Sequence, residues 1–214
     1  MRKGNATRER LLEIAEAAVL AKGFGATSIE ELIAEAGITK SGFFYHFKDK
    51  NELAKGLLAR FGAHLDGLLE DVFGRARQLS DDPLQHLLVG LTLFAERMAA
   101  MPGGHRGCLV AAMSYQDRLF DREIRTTVTE MTLTWNGYFE TMLDEIVAVY
   151  PPREPVDTAR LARMIACVID GGIIMSKSLG DPGVLPEQIL MARNHVKMIF
   201  HPVALHAVRE VAAA

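Results

Sequence analysis

The residues of this chain with the clearest chemical character lie close together, between residues 27 and 50. Lysines, hydroxyl groups, a phenol and an imidazole occur there, beside a glycine that exposes its backbone. Such groups form hydrogen bonds with base edges and phosphate oxygens in the major groove of DNA. The candidates for this chemistry are Thr27, Lys40, Ser41, Gly42, Tyr45, His46, Lys48 and Lys50.

The pattern around these residues predicts two helices with a tight turn between them. Ser28 is a good N-cap for the first helix, Glu31 occupies the capping-box position, and Gly37 is suited to end the helix. Thr39 can then cap a second, short helix over about residues 40–47. A helix, a glycine-containing turn and a second helix are the elements of a DNA-binding helix-turn-helix.

The second predicted helix also has a simpler interpretation. Phe43 and Phe47 are four residues apart, so both can face a small core while their neighbours face outward. An ordinary helical hairpin with aromatic core residues and a solvated polar face has the same spacing. The residues by themselves leave both interpretations open.

Residues 10–53 resemble the N-terminal domain of transcriptional regulators of the TetR family. The matching motifs are Lys22-Gly23-Phe24, Ala26-Thr27-Ser28-Ile29, Ala36-Gly37-Ile38 and the run from Thr39 to Leu53. The family's usual Tyr-His-Tyr-Phe order reads Phe44-Tyr45-His46-Phe47 here, and a bulky Phe late in the first helix is replaced by Val19. The resemblance implies a regulator that binds double-stranded operator DNA, without specifying the operator sequence.

Composition sets bounds on the class of protein. The chain has 214 residues, is 49% hydrophobic and 24% charged, and has a net charge of -3, which is typical of a globular protein and gives no overall nucleic-acid signature. Two cysteines do not make a disulfide framework. Because neither a signal-peptide pattern nor an apolar run of about 18 residues occurs, we expect a cytoplasmic protein without a membrane partner.

Apolar residues recur at helical spacing along the whole chain, which predicts an all-α fold. Helices are expected over about 7–22, 28–36, 40–47, 50–77, 83–101, 107–114, 121–149, 157–179 and 186–200. We expect an N-terminal three-helix DNA-binding domain over residues 1–49. The long helix that begins at residue 50 then joins it to a helical ligand-binding and dimerisation domain over residues 50–214.

The last two predicted helices bear on assembly. The helix over 157–179 is almost continuously apolar around Gly171 and Gly172, so it needs neighbours on several sides. In TetR-like proteins the last two helices form the dimer interface, and the resemblance implies a homodimer through the helices near 157–179 and 186–200. The alternative is that the first of them is the central core helix of a monomer.

The resemblance further implies that the second domain binds a small-molecule inducer and then releases DNA, most often as a repressor. A ligand site of this kind is an apolar cavity with a few polar groups. The candidates to line it are Phe61, Leu65, Phe94, Met98, Cys108, Met113, Trp135 and Phe139. Residues of these types at helical spacing are also ordinary core residues.

Cys108 follows His105-Arg106-Gly107 at the start of a short predicted helix. A helix N-terminus and nearby positive charge favour the reactive thiolate form of a cysteine. The segment resembles the Gly-Cys-Leu turn of a TetR subgroup that answers to electrophiles, oxidants or small unsaturated acids. The hypothesis is a reactive or ligand-contacting thiol, and the alternative is a buried, inert cysteine.

Enzyme motifs do not stand out. The histidines and cysteines lack a metal-ligand spacing, and the chain has no glycine-rich phosphate loop, nucleophile elbow or paired catalytic carboxylates. The sequence therefore predicts a protein that is not an enzyme and holds no metal or cofactor. A helical-bundle enzyme or a small-molecule carrier is the alternative.

Overall fold

The computed structural model describes residues 3–152 and 154–200, and every regular element among them is helical. The helices are α1 (Lys3–Lys22), α2 (Ile29–Ala36), α3 (Lys40–His46), α4 (Lys50–Leu69), α5 (Arg75–Leu79), α6 (Pro83–Ala99), α7 (Leu109–Ser114), α8 (Arg122–Val149), α9 (Thr158–Leu179) and α10 (Val184–Phe200). A π-helical segment, Glu70–Gly74, joins α4 to α5, and a 3₁₀ turn, Asp117–Leu119, precedes α8. The predicted all-α fold with three N-terminal helices is confirmed. Residues 1–2, 153 and 201–214 of the two predicted domains lie outside the described residues.

The helix bounds differ from the expected ones by one to four residues at several ends, and the differences at α1, α4 and α7 are described here. α1 begins at Lys3 rather than at residue 7, because a single glycine in this stretch costs only about 1 kcal/mol. The long helix predicted over 50–77 continues to Leu79, but its α-helical hydrogen bonding is interrupted by the π-helical segment. α7 begins after Cys108, because the φ of +135° at Gly107 is incompatible with a helix.

The described residues form two compact units. The first unit comprises residues 3–68 and 106–134, and the second comprises 69–105 and 135–200. The three N-terminal helices thus share a unit with α7 and the beginning of α8. The expected domain boundary at residue 50 concerns function and stays a prediction. None of the described helices is long and apolar enough to cross a membrane.

The first unit has one hydrophobic core, to which helices from both of its chain segments contribute. Its buried side chains are Leu11, Leu12, Ala15, Val19, Phe24, Leu32, Ala36, Phe43, Phe47, Leu53, Ala54, Leu57, Leu58, Leu109, Met113, Phe120 and Ile124. α2 has eight residues and α3 has seven. Isolated helices of this length are not stable in water, so their orientation depends on burial in this core.

An ion-pair network also connects α1 with α4. Arg60 on α4 places Nη1 2.6 Å from Glu16 Oε2, Nη2 3.4 Å from Glu13 Oε1 and Nε 3.4 Å from Glu9 Oε2. The three carboxylates follow one face of α1, and the Arg60 side chain is only 15% exposed. Because solvent and salt screen it less than an exposed pair, the network helps to hold α1 against α4.

In the second unit, α10 packs against both α6 and α9. Two glycines permit close approaches there. A Cβ at Gly90 on α6 would lie 2.3 Å from Cδ1 of the buried Phe73 ring, and one at Gly172 on α9 would lie 3.0 Å from Cδ1 of Leu185. Real Cβ atoms do not come within 3.0 Å of such a neighbour, so the packing of Phe73 against α6 requires glycine at position 90.

We therefore predict opposite effects of alanine at two helical glycines. Gly90→Ala overpacks the core against Phe73 and should lower the free energy of unfolding by about 1–3 kcal/mol. Gly67→Ala on α4 is the matched control: Gly67 is exposed with no atom near its Cβ position, so the free energy should rise by up to about 1 kcal/mol. Urea unfolding curves measure both. A Gly90→Ala protein as stable as the wild type would contradict this account.

Candidate nucleic-acid interface

The predicted caps of α2 and α3 are confirmed. Ser28 Oγ accepts a hydrogen bond from the backbone N–H of Glu31 at 3.2 Å, and Thr39 Oγ1 accepts one from the N–H of Gly42 at 3.1 Å. Gly37 ends α2 in the left-handed conformation, with φ 65° and ψ 36°. The turn between the two helices is therefore defined at both ends by local hydrogen bonds.

The Glu31 carboxylate, expected to complete a capping box, makes a different contact. Lys22 Nζ at the end of α1 donates to Glu31 Oε1 at 2.6 Å. The hydrogen bond from Lys22 lowers the pKa of Glu31. This contact joins the end of α1 to the first turn of α2.

α3 separates its residues into a buried and an exposed face. Phe43 is buried, as is Phe47 directly after the helix, while Tyr45 between them is 82% exposed. Lys40 and Ser41 at the start of the helix are exposed. Burial of the two phenylalanines thus directs the phenol of Tyr45 and the polar N-terminal turn to the outside.

The other predicted contact residues of this segment lie close by. Gly42 and His46 are partly buried, and Lys48 after the helix is exposed. The His46 ring meets the Tyr45 ring edge to face, with centroids 5.0 Å apart. Six of the eight predicted DNA-binding residues therefore share α3 or its immediate C-terminal end: Lys40, Ser41, Gly42, Tyr45, His46 and Lys48.

Thr27 and Lys50, the other two candidates, contact the turn between α1 and α2. Thr27 is buried, and its hydroxyl donates to the carbonyl oxygen of Gly23 at 3.0 Å. Lys50 Nζ donates to the carbonyl oxygen of Phe24 at 2.7 Å and lies 4.6 Å from the centroid of the Phe24 ring. Burial lowers the pKa of Lys50. Both side chains thus hold the turn between α1 and α2, and direct contact of either with DNA stays a prediction.

Phe44 is a residue that the sequence analysis missed. It lies on α3 beside the predicted contact residues and is 43% exposed, with its ring 5.4 Å from that of Phe43. An exposed apolar group on such a helix suits the methyl group of thymine. The four-residue spacing of Phe43 and Phe47 contained the signal, because it leaves Phe44 on another face.

The predicted ligand-lining residues divide between the two units. Phe61, Leu65, Cys108 and Met113 belong to the first unit, and Phe94, Met98, Trp135 and Phe139 belong to the second. Met113, Phe94, Met98 and Phe139 are buried, whereas Phe61, Leu65, Cys108 and Trp135 are partly buried. Ligand contact by any of these eight residues stays a prediction.

The second unit contains a cluster of aromatic rings, here called the aromatic cluster. Its members are Phe73, Phe94, Trp135, Tyr138 and Phe139. Trp135 and Phe139 meet edge to face with ring centroids 4.9 Å apart, and so do Phe73 and Tyr138 with centroids 5.5 Å apart. Trp135 and Tyr138 are only partly buried, and burial raises the pKa of Tyr138. The cluster therefore combines a large apolar surface with one polar hydroxyl.

His86 on α6 packs beside this cluster. Its Nε2 lies 3.1 Å from the carbonyl oxygen of Phe73. Because a carbonyl only accepts, Nε2 carries the proton and donates it. Burial lowers the pKa of His86, so the neutral ring is favoured at this position.

Among residues 3–152 and 154–200, no three histidine, cysteine or acidic side chains come together as metal ligands would. The polar groups of the site thus lie on α3, and the apolar rings lie in the second unit. An exposed, capped helix that presents hydroxyl, phenol and ammonium groups is suited to contacts with a DNA groove.

Known proteins resemble the chain in the segment that forms this interface. The family model for bacterial regulatory proteins of the tetR family matches residues 11–57, which contain α2, α3 and the beginning of α4.

The resemblance extends over most of the chain. The transcriptional regulator AcuR of Cereibacter sphaeroides is 24% identical, over 73% of this chain and 69% of its own length. The transcriptional repressor KstR2 of Mycolicibacterium smegmatis is 24% identical, over 79% of this chain and 92% of its own. The crystal structure of a TetR transcriptional regulator from Chloroflexus aurantiacus superposes with a TM-score of 0.75 at 22% identity, covering 93% of this chain and 98% of that one.

Proposed function

Because the chain belongs to the TetR family of bacterial regulatory proteins, and so is a DNA-binding transcriptional regulator, we propose that it is a repressor that releases its operator when a small molecule binds. A curated relative, KstR2, is named as a repressor, which supports this mode of action. The relatives are regulators and not enzymes, so a helical-bundle enzyme or carrier is the less favoured alternative. A regulator of a bacterial chromosome works in the cytoplasm, and we propose that location.

The observation that carries the proposal is the exposed face of α3. Lys40, Ser41 and Tyr45 project from α3, while Phe43 on the helix and Phe47 directly after it are buried, so the polar face is held outward. In the proposed complex α3 lies in the major groove. Tyr45 and Ser41 contact base edges there, and Lys40 and Lys48 contact phosphates.

Tyr45→Ala tests this assignment. The substitution should weaken binding to the selected operator, meaning the duplex that the wild-type protein enriches from a random-sequence pool, by about 1–3 kcal/mol. The free energy of unfolding should change by less than about 0.5 kcal/mol, because the side chain is exposed. Tyr115→Ala, which removes a tyrosine of similar exposure outside the interface, is the control. Equal operator affinity of the Tyr45→Ala and wild-type proteins would refute the assignment.

The proposed dimer interface is the outer face of α9 and α10. Apolar side chains are exposed on both helices although other apolar residues of the same helices are buried; the exposed ones are Ile174, Met175, Leu179, Met191 and Met198. Gly171 on α9 has no atom near its Cβ position, so a partner backbone can approach there, whereas Gly172 is covered by Leu185. An exposed apolar patch of this kind is typical of an interface.

A homodimer through this face presents two copies of α3. Regulators of the TetR family bind DNA as dimers, and a twofold dimer fits a near-palindromic site whose half-sites are about one DNA turn apart or more.

Met175→Lys should disrupt this dimer. A charge on each copy of the apolar face must either be buried unpaired or keep the face open to water. We expect sedimentation velocity to show a shift from two chains to one at micromolar concentration. Leu133→Lys, on an exposed position of α8 in the first unit, should leave the assembly unchanged. A Met175→Lys protein that stays dimeric over the same concentrations would exclude this interface.

The proposed ligand site is the aromatic cluster of the second unit. Its rings offer apolar contact area, and the Tyr138 hydroxyl offers a polar contact, which fits an apolar ligand with few polar groups. Ligand binding changes the orientation of α4 and hence the spacing of the two α3 helices, so that they no longer match the operator. Such a shift requires that the ligand bind the two states with different affinity.

This coupling predicts a reciprocal effect. A compound that quenches the fluorescence of Trp135, the single tryptophan of the chain, should bind more weakly when the selected operator is present. The loss should equal the factor by which the compound weakens operator binding, typically about 5–150-fold. Equal ligand affinity with and without the operator would rule out the coupled mechanism.

The same titration tests the role of the Cys108 thiol, with an electrophilic compound as the ligand. If the compound weakens operator binding of the Cys108→Ser protein as much as that of the wild type, the thiol takes no part in the response to the compound. In the structure Cys108 is partly buried and is the N-cap residue of α7.

A further inference from the structure

The turn between α1 and α2, here called the α1–α2 turn, comprises residues 23–27 and is held by residues far along the chain. Gln116, just before the 3₁₀ turn, accepts a hydrogen bond at Oε1 from the backbone N–H of Gly25, at 2.9 Å. The two residues are 91 positions apart in the sequence. Both lie in the first unit.

The chain approaches this turn more closely than a side chain would allow. A Cβ at Gly23, whose φ is +88°, would lie 2.5 Å from Nε2 of Gln116. A Cβ at Gly25 would lie 3.0 Å from Cδ1 of Leu119. The Gln116 amide can pack directly against the backbone of this turn because positions 23 and 25 are both glycine.

Phe24, between these glycines, is held from two sides. Its ring packs on that of Phe120, with centroids 4.8 Å apart and both residues buried. Lys50 at the start of α4 contacts both the carbonyl oxygen and the ring of Phe24. The α1–α2 turn is therefore held by the segment before α8 and by the first residue of α4.

The position of this turn determines where α2 and α3 begin. Thr27 closes the turn through its hydrogen bond to Gly23, and Ser28 directly after it caps α2. α3 then follows after the left-handed Gly37 and the cap Thr39. A displacement of the turn would therefore shift α2 and, with it, the exposed face of α3.

We infer that Gln116 is a positioning residue for DNA recognition, because it fixes the α1–α2 turn and through it the orientation of α3. The inference rests on DNA binding by the family and not on repression or on a ligand. Burial of Phe24 and Phe120 stabilises the packing, while the more exposed Gln116–Gly25 hydrogen bond sets the orientation of the turn. Loss of this hydrogen bond alone should therefore change recognition and leave the fold intact.

Three variants of the full-length protein test this inference. Gln116→Met keeps the length of the side chain and removes the acceptor, and Gln116→Glu keeps an acceptor oxygen. Gln78→Met makes the first of these changes at an exposed glutamine of α5 and is the control. Two quantities are measured: amide hydrogen exchange of residues 23–27, and the ratio of affinities for the selected operator and a scrambled duplex of equal length.

We expect Gln116→Met to speed amide hydrogen exchange in the α1–α2 turn by about 3–10-fold. The ratio of operator affinity to scrambled-duplex affinity should fall by a similar factor, which is the size expected for the loss of one hydrogen bond. Gln116→Glu, which keeps the acceptor, should leave the exchange rate and the affinity ratio at their wild-type values. Its added charge weakens binding to the two duplexes alike, so the ratio is unaffected by it. Gln78→Met should match the wild type.

Two results would overturn the inference. An unchanged affinity ratio for Gln116→Met would do so even if exchange became faster, because the turn would then be held without consequence for DNA. A lower ratio accompanied by loss of near-UV circular dichroism at the assay temperature would assign Gln116 to the fold instead.

Discussion

The exposed face of α3, the proposed recognition surface of this regulator, depends on the burial of Phe43 on the helix and of Phe47 directly after it. α3 has seven residues, and its local signals, the Thr39 cap and the preceding Gly37, define where it begins but not where it points. The direction comes from Phe43 and Phe47, which are fixed in the core of the first unit and so place Tyr45 in solvent. A helix of this length is stable only through such tertiary contacts. The chemistry of the exposed face is therefore a consequence of the apolar residues on the opposite face.

That core is not local to the DNA-binding segment. Leu109, Met113 and Phe120 are buried in it together with Phe43 and Phe47, although they come about seventy residues later in the chain. Two polar residues of the predicted interface, Thr27 and Lys50, are likewise directed to the α1–α2 turn. A basic or hydroxylic residue near a reading helix can therefore support recognition by orienting the helix as well as by contacting DNA.

Features set by neighbouring residues were predictable from the sequence, and features set by distant residues were not. The caps at Ser28 and Thr39 and the left-handed Gly37 follow from short-range hydrogen bonding, so the sequence located the helices well. The contact of Gln116 with Gly25 and that of Arg60 with α1 join positions far apart, and no spacing rule relates them. The π-helical segment Glu70–Gly74 also has no local breaker; the buried Phe73 and its contacts with Gly90 and His86 accompany it. The exposure of Phe44 was within reach of helical periodicity, because Phe44 lies on a different face of the helix from Phe43 and Phe47.

The apolar character of α9 left two interpretations open, a core helix or an interface helix, because burial of any kind selects the same residues. In the structure one part of the helix is buried within the chain and another part is exposed. Ile165, Ile169 and Ile173 are buried within the chain, whereas Ile174, Met175 and Leu179 are exposed. The adjacent glycines follow the same division, since Gly172 faces Leu185 and Gly171 faces open space. An apolar face that had no partner would cost solubility without any gain in the stability of the single chain. The exposed half of α9 is the part that the proposed homodimer would cover.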